Sequence, residues 1–349
     1  MVNVRMTANN HNSLAKIGEK GLIKMILKEI DDSDVLVGNE DCVGVLLEND
    51  LLLVVNIDTL FWPSDIPTKV KMTMRQGGRK VVMMTISDFA AKGVEPRGFI
   101  SSIGAPPRTR SEDLLELVRG MRQGAAECGT RYLGGDLSES THLLVSGVAF
   151  GVIHPQKVMM RAKARPGDAV FITGDFLTGA GLKIAVEGLS APFELYKALI
   201  QSVKAPEARI REGIALGESG LATACIDSSD GLARSLYELV EASNVGIRIH
   251  HLPIPEPVSR FADLHKLDPE QLILYGGEEY ELVFTALAEK TNMIEALFKK
   301  LRCKVTQIGN VIREQKLLLR DEELDPTGYE HFLPHLSKKR SDIRLQNQG

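Results

Sequence analysis

Asp41, Asp58, Asp88, Asp136, Asp227 and Asp230 sit at the ends of apolar runs or in Gly/Ser-rich turns. An apolar run such as Leu51 to Val55 is stable only as a buried strand, so an acid just past its end falls at the rim of a core. Rims of α/β sheets are where ligands bind. Carboxylates gathered there repel one another unless cations neutralise them, and hard oxygen donors favour Mg²⁺, Mn²⁺ or Ca²⁺ over softer metals. Such a cage suits a polyphosphate, and the chemistry it suggests is phosphoryl transfer.

Each segment also has a plainer structural reading. Gly38 to Val43 and Asn56 to Thr59 are polar turns or strand ends where Asn and Asp are common, and their acids reach one metal if a hairpin pairs them. Asp88 follows Val81-Val82-Met83-Met84, and a buried acid there needs a partner. Gly134-Gly135-Asp136 lets backbone N–H groups approach phosphate oxygens while the carboxylate holds metal, and a simple turn explains it equally well. Asp227-Ser228-Ser229-Asp230-Gly231 places two acids and two hydroxyls ahead of a helix whose N-terminus favours anions, with an N-cap at Ser229 or Asp230 as the alternative. Glu278, Glu279 and Glu281 read as a solvated acidic face. Thr173-Gly174 with Gly179 and Gly181 reads as a helix entry loop, since it matches neither GxGxxG nor the Walker pattern. His250 and His251 have no companion at ligand spacing, and no nucleophile motif is present.

The elements that must position these acids follow from periodicity. Apolar spacing predicts helices at Glu19 to Ile30, from Thr73 toward Asp88, and at Ser111 to Cys128, the last capped by Ser111-Glu112-Asp113. Strands are predicted at Val43 to Leu47, Leu51 to Ile57, Phe99 to Ile103 and Leu143 to Phe150, with an irregular Pro-interrupted loop over Phe61 to Val70. Helices over a mostly antiparallel sheet make the first half α+β. His154-Pro155 and Arg165-Pro166-Gly167-Asp168 bracket a boundary, dividing an N-terminal domain, 1–154, that carries most of the metal and polyphosphate cage from a C-terminal α/β domain, 155–349. The second half is predicted to hold strands at Ala169 to Thr173, Ala222 to Ile226 and Val283 to Thr285. Its helices are predicted from Gly181, at Glu207 to Leu216 and at Gly231 to Ala242.

At 349 residues the chain exceeds the size at which one core keeps growing, which also argues for two domains. A net charge of -4 and 5% aromatic residues give no reason to expect nucleic acid or an anionic membrane as partner. Four dispersed cysteines without a CxxC pair suggest reduced thiols. No membrane-length apolar run is present, the opening around Asn9 to Asn12 is too polar for a signal sequence, and the tail from Lys338 is polar with a short basic run. A cytoplasmic protein is expected.

Read in order, several segments together resemble the thiamine-monophosphate kinases. They are Ile17-Gly18-Glu19, Glu40-Asp41-Cys42, Asp58-Thr59-Leu60, Ser87 to Gly93, Gly134-Gly135-Asp136, Pro166-Gly167-Asp168, Asp227 to Leu232, Gly276 to Leu282 and Ile308-Gly309. The resemblance spans nearly the whole chain, and Arg75 to Pro96 resembles archaeal members in particular. It implies the aminoimidazole ribonucleotide synthetase superfamily: an N-terminal antiparallel sheet with helices, forming a barrel across a homodimer, then a C-terminal α/β domain. It further implies ATP-dependent phosphorylation of thiamine monophosphate, with several Mg²⁺ ions held by Asp41, Asp58, Asp88, Asp136, Asp227 and Asp230. Asp88 and Asp230 are the expected catalytic residues. Gly135, Arg161 and Ser229 match ATP-contacting positions, and Asp65, Glu278 and Tyr329 match positions that touch the thiamine phosphate.

Four departures stand out: Glu40 for Asp, Leu137 for Thr, Glu279 for Asp, and Asn56-Ile57 for Ser-Thr. Ile57 has no side-chain oxygen, so one metal site is expected to be altered. The alternatives are an aminoimidazole ribonucleotide synthetase-like enzyme acting on another phosphorylated substrate, and a non-catalytic nucleotide or thiamine-phosphate binder.

Overall fold

The computed structural model describes residues 13–30, 40–62 and 65–332. The turn expected at Gly38-Asn39, the opening around Asn9 to Asn12 and the tail from Lys338 lie outside them. The chain divides into two units, one made of residues 1–33 with 329–349 and the other of residues 34–328.

In the first unit, α1 (Leu14–Ile26) starts earlier than predicted and ends sooner, with a kink where Gly18 takes φ 71°. The backbone N–H groups of Lys20 and His331 donate to the carboxylates of Glu330 and Glu19 at 3.3 and 3.2 Å, tying the helix to residues 329–332.

The second unit opens with β1 (Val43–Leu46), β2 (Leu52–Trp62), α2 (Met74–Lys92), β3 (Pro96–Ala105), α3 (Ser111–Glu127), β4 (Tyr132–Glu139) and β5 (Leu143–Ile153). The strands form one sheet in the order β1-β2-β5-β3-β4, antiparallel except for the β3/β4 pair. The predicted hairpin is present, with Val43 opposite Val55. However, β2 continues to Trp62, so Asp58 lies within a strand and not at its end. Gly134-Gly135-Asp136 is likewise strand, not turn, because β4 pairs with β3 along Ser101 to Ala105.

α2 begins at Thr73, whose hydroxyl accepts from Gln76 N while Gln76 Oε1 accepts from Thr73 N, and it ends at Gly93 with φ 71°. It lies against α3 at very short range: a Cβ on Gly78 would stand 1.9 Å from the Leu117 carbonyl oxygen, and one on Gly120 2.0 Å from that of Arg75. The N-cap of α3 is Arg110 and makes no side-chain cap, so the expected Ser111 cap is not formed.

The chain continues through β6 (Ala169–Thr173), α4 (Thr178–Ala185), α5 (Phe193–Lys204), α6 (Ile210–Ser219), β7 (Ala222–Ser228), α7 (Leu232–Ser243), β8 (Gly246–Ile249), α8 (Glu256–His265) and α9 (Pro269–Leu274). It finishes with β9 (Glu281–Ala286), α10 (Thr291–Leu301), β10 (Val305–Ile312), β11 (Leu317–Leu319) and β12 (Glu322–Glu323). Seven strands form a mixed sheet in the order β12-β11-β8-β10-β6-β9-β7, parallel only between β8 and β11. Phe171, Phe284 and Phe298 stack on one side at centroid spacings of 5.2 and 5.7 Å, within the core shared with α2. A second core packs α4, α5, α7 and α8 against the sheet. Among the described residues no helix is long and apolar enough to cross a membrane.

Candidate active site

α2 touches β2, β5 and α3 of the first sheet's layer and α6, β7 and β9 of the second. It is therefore apolar or small almost all round, and polar residues inside it stand out. Lys80, Met84, Asp88 and Lys92 follow one i,i+4 ladder, and both lysines are completely buried.

Asp41, just before β1, Asp88 on α2 and Asp227 on β7 each bring a carboxylate oxygen within 4.8 Å of the others. Asp58 joins them through Asn56, whose Nδ2 lies 3.1 Å from Asp58 Oδ2, contacts Asp88, and donates to the Thr85 carbonyl at 3.1 Å. The Ser87 hydroxyl donates to Asp227 Oδ2 at 2.5 Å.

Two cations border the acids. Lys92 Nζ contacts Glu40 and stands 2.7 Å from Asp41 Oδ2. Arg161 contacts Asp41 through Nη2, reaches Glu238 Oε2 at 3.0 Å through Nη1, and donates its backbone N–H to Glu40 at 3.0 Å. The other oxygen of Glu238 accepts from Arg234 Nε at 2.9 Å.

Burial pushes the carboxyl groups up. Desolvation raises Asp58, and it raises Asp88 well above the ordinary carboxylate value with help from Asp227 and Asp58. Asp227 is pushed up to about 6, chiefly by desolvation, against the Ser87 hydrogen bond and Arg161. Burial lowers Arg161, opposed first by Glu40. The acids thus sit where an added positive charge is strongly favoured.

Ser229 and Asp230 lie in the turn between β7 and α7. Gly231, at φ 108°, is the N-cap of α7, so neither predicted cap is formed. That turn is strapped to the 276–280 segment by Glu278 N–H to Ser229 O at 2.7 Å and Tyr280 N–H to Ser228 O at 2.8 Å. Here the predicted solvated acidic face is overturned, since Glu279 and Glu281 are buried. Glu279 accepts from the backbone of Leu177, Thr178 and Gly179 at the start of α4, and desolvation pushes it up to about 8. Glu281 pairs with Arg209 at 2.6 Å and accepts from Thr173 Oγ1. Glu278 is half-buried and meets Lys80 Nζ at 2.5 Å. Asp65 accepts from Phe61 N–H at 2.7 Å.

Gly135 and Asp136 stand apart from the three-carboxylate cluster, on the exposed edge strand β4. A Cβ at Gly135 would lie 1.7 Å from Ser101 O, so only glycine fits there. Both residues line a cavity of about 390 Å³ whose other walls include Ile103, Leu114, Val118 and Tyr132. Tyr329 is exposed and belongs to the first unit. Ile57 is also exposed, so the strand's alternation turns it away from the Asn56 and Asp58 side.

Sequence reasoning missed Asn56 as a bridge between two acids, Ser87 as the partner of Asp227, and Lys80 and Lys92 altogether. The signal for the lysines was their in-phase spacing with Asp88 in an otherwise apolar helix.

The model of the AIR synthase related protein N-terminal domain matches residues 39–153, and that of the C-terminal domain matches residues 165–322. Thiamine-monophosphate kinase of Pyrococcus horikoshii is 34% identical over 325 residues, covering 91% of this chain and 97% of its own. The Nitrosopumilus maritimus enzyme of that name is 31% identical, covering 91% of this chain and 100% of its own. A solved structure of AaThiL complexed with AMPPCP and TMP superposes with a TM-score of 0.81 at 25% identity, covering 92% of this chain and 99% of that one.

Proposed function

Because the chain belongs to the thiamine-monophosphate kinase family of AIR synthase related proteins, we infer that it transfers the γ-phosphoryl group of ATP to thiamine monophosphate, giving ADP and thiamine diphosphate. The observation that carries this reading down to atoms is the convergence of Asp41, Asp88 and Asp227 within 4.8 Å. The related AaThiL, complexed with AMPPCP and TMP, supports the same pair of co-substrates.

The donors fit a hard divalent cation, since all are carboxylate oxygens, they come from three separate segments, and burial drives them to gain positive charge. Asp41, Asp58, Asp88 and Asp227 would hold Mg²⁺, with Asp230 and Asp136 completing the set for further ions. Mg²⁺ supplies the charge that lets two phosphate-bearing anions approach. The protein's own residues do the positioning. Arg161 offers a forked cation to phosphate, Ser229 and the Gly135 backbone contact the nucleotide, and the apolar cavity beside Gly135 accepts its base. Asp65 and Glu278 receive the thiamine end. Asp88 and Asp230 border the phosphorus under direct in-line attack, so catalysis comes from alignment and charge neutralisation.

The reading extends to a homodimer. On the face of the first sheet turned away from α2, Val43, Val45, Ile57, Phe61 and Ile100 are exposed and apolar. Asp136, in register with Ser102, shares that face. A second copy covering it would close a barrel and bring Asp136 into a shared site. Four free cysteines suit a reducing cytoplasm.

Assaying ADP release with thiamine monophosphate against formylglycinamidine ribonucleotide tests the function. We expect ADP and thiamine diphosphate in equal amounts with the first substrate and no ADP with the second. ADP formed only with the second would replace this reading by a synthetase, and ATP binding without ADP from either would leave a binder.

A further inference from the structure

Lys80 is completely enclosed, yet its ammonium reaches two segments assigned to the thiamine end of the substrate. Nζ is 2.5 Å from Glu278 Oε1 and donates to the Asp65 backbone carbonyl at 3.3 Å. The stem comes from α2, locked between two sheets, so the charge has no route to solvent. Glu278 is equally constrained: it takes φ 60°, outside the region side chains prefer, and its N–H is bonded to Ser229 O. Its side chain is nevertheless 29% exposed, so part of the carboxylate remains available to a ligand.

We propose that Lys80 is a positioning residue that fixes Glu278 and cancels its charge, so that Glu278 meets the substrate as a hydrogen-bond acceptor and not as a counter-ion to the thiazolium. The proposal rests on the thiamine-monophosphate reading and adds how that substrate is recognised. A neutral pair attracts a cationic ring little more than an uncharged ring of the same shape. Discrimination at this position then comes from N–H donors on the ligand meeting the remaining acceptor capacity of the carboxylate. The pair also explains why a lysine is carried deep in the helix: removing either partner would leave the other charge half or wholly buried without compensation.

The test compares binding of thiamine monophosphate with that of its neutral 3-deaza analogue, in which a thiophene replaces the thiazolium. Calorimetry on the full chain with Mg²⁺ and AMPPCP reads the ratio of the two affinities within each variant, which a general loss of structure does not move. In the wild type the ratio should stay within about threefold. Glu278→Gln leaves Lys80 unopposed, so the cationic ligand should lose roughly tenfold relative to the neutral one, the size expected for charges about 12 Å apart at an effective dielectric near 20. Lys80→Met leaves Glu278 unopposed, and the ratio should shift roughly tenfold the other way. If Lys80→Met does not fold, the wild-type and Glu278→Gln ratios decide. A wild-type preference for the cation above about tenfold, or a ratio unmoved by Glu278→Gln, would overturn the proposal. Failure of the wild type to bind thiamine monophosphate at all would instead overturn the functional reading beneath it.

Discussion

Replacing Lys92 by methionine keeps the length and apolar stem of the side chain and removes one of the two cations that border the acids. Lys92 is fully buried, and the side chains of its partners Glu40 and Asp41 are 6% and 2% exposed. At 2.7 Å from Asp41 and an effective dielectric of about 20, one such pair carries about 6 kcal/mol of Coulomb energy. Methionine recovers the desolvation of the ammonium but leaves two carboxylates buried beside Asp88 and Asp227, so the net loss should be about 3 to 5 kcal/mol. With an unfolding entropy of roughly 2.1 cal/mol/K per residue, this lowers the metal-free Tm by about 5 °C. The same change makes the cluster one charge more negative, so Mg²⁺ should bind the variant more tightly and raise its Tm by more than it raises that of the wild type. Thermal scans with chelator and with Mg²⁺ read both quantities. A metal-free variant as stable as the wild type, or one that gains no more from Mg²⁺, would refute the view that Lys92 balances the metal-binding acids.

Asp58, Asp88 and Asp227 are all raised, Asp227 to about 6, so the folded state holds protons that the unfolded chain has released. The contribution of Asp227 is full below pH 3.8 and lost as pH rises through about 6, and the raised Asp58 and Asp88 act in the same direction. The Mg²⁺-induced rise in Tm should therefore grow across that window, and a pH-independent increment would contradict it. Asp88→Asn should lower turnover at least about a thousandfold, yet leave the metal-free Tm equal to or above the wild type at neutral pH, because burial disfavours the charge that it removes. Wild-type turnover would end its catalytic assignment. Glu279, pushed up to about 8, loses its contribution as pH rises from 4.5 through that value. Glu279→Gln has no proton to lose and should gain Tm relative to the wild type over the same range, and a constant difference would show Glu279 to be ionised throughout. Ile57→Asp, on the open sheet face proposed as the contact between two copies, should halve the particle mass measured by light scattering, and an unchanged mass would refute that contact.

How far such sites can be read without coordinates depends on where the partners lie along the chain. Asp41, Asp88 and Asp227 were legible because an acid beside an apolar run must be either a rim residue or a paired one. Their surroundings were harder to read. Leu60-Phe61-Trp62 prolongs β2 past Asp58, but Pro63 and Pro67 nearby read as a loop. β4 is an exposed edge with glycines at its centre, so it lacks the buried alternation that reveals a strand. Glu281 looked solvated since its partners Arg209 and Thr173 lie 72 and 108 positions away, and Lys80 stands 198 positions from Glu278. A lone charge in an apolar helix signals that a partner exists but cannot say which segment supplies it. The Ile57 departure turns on the same geometry. Read as one letter of a metal motif, it implied a weakened site. Because β2 continues through it, strand alternation puts Asn56 and Asp58 toward α2 and Ile57 on the opposite face, so its missing oxygen is taken from the sheet face that Asp136 shares and not from the cluster of Asp41, Asp88 and Asp227.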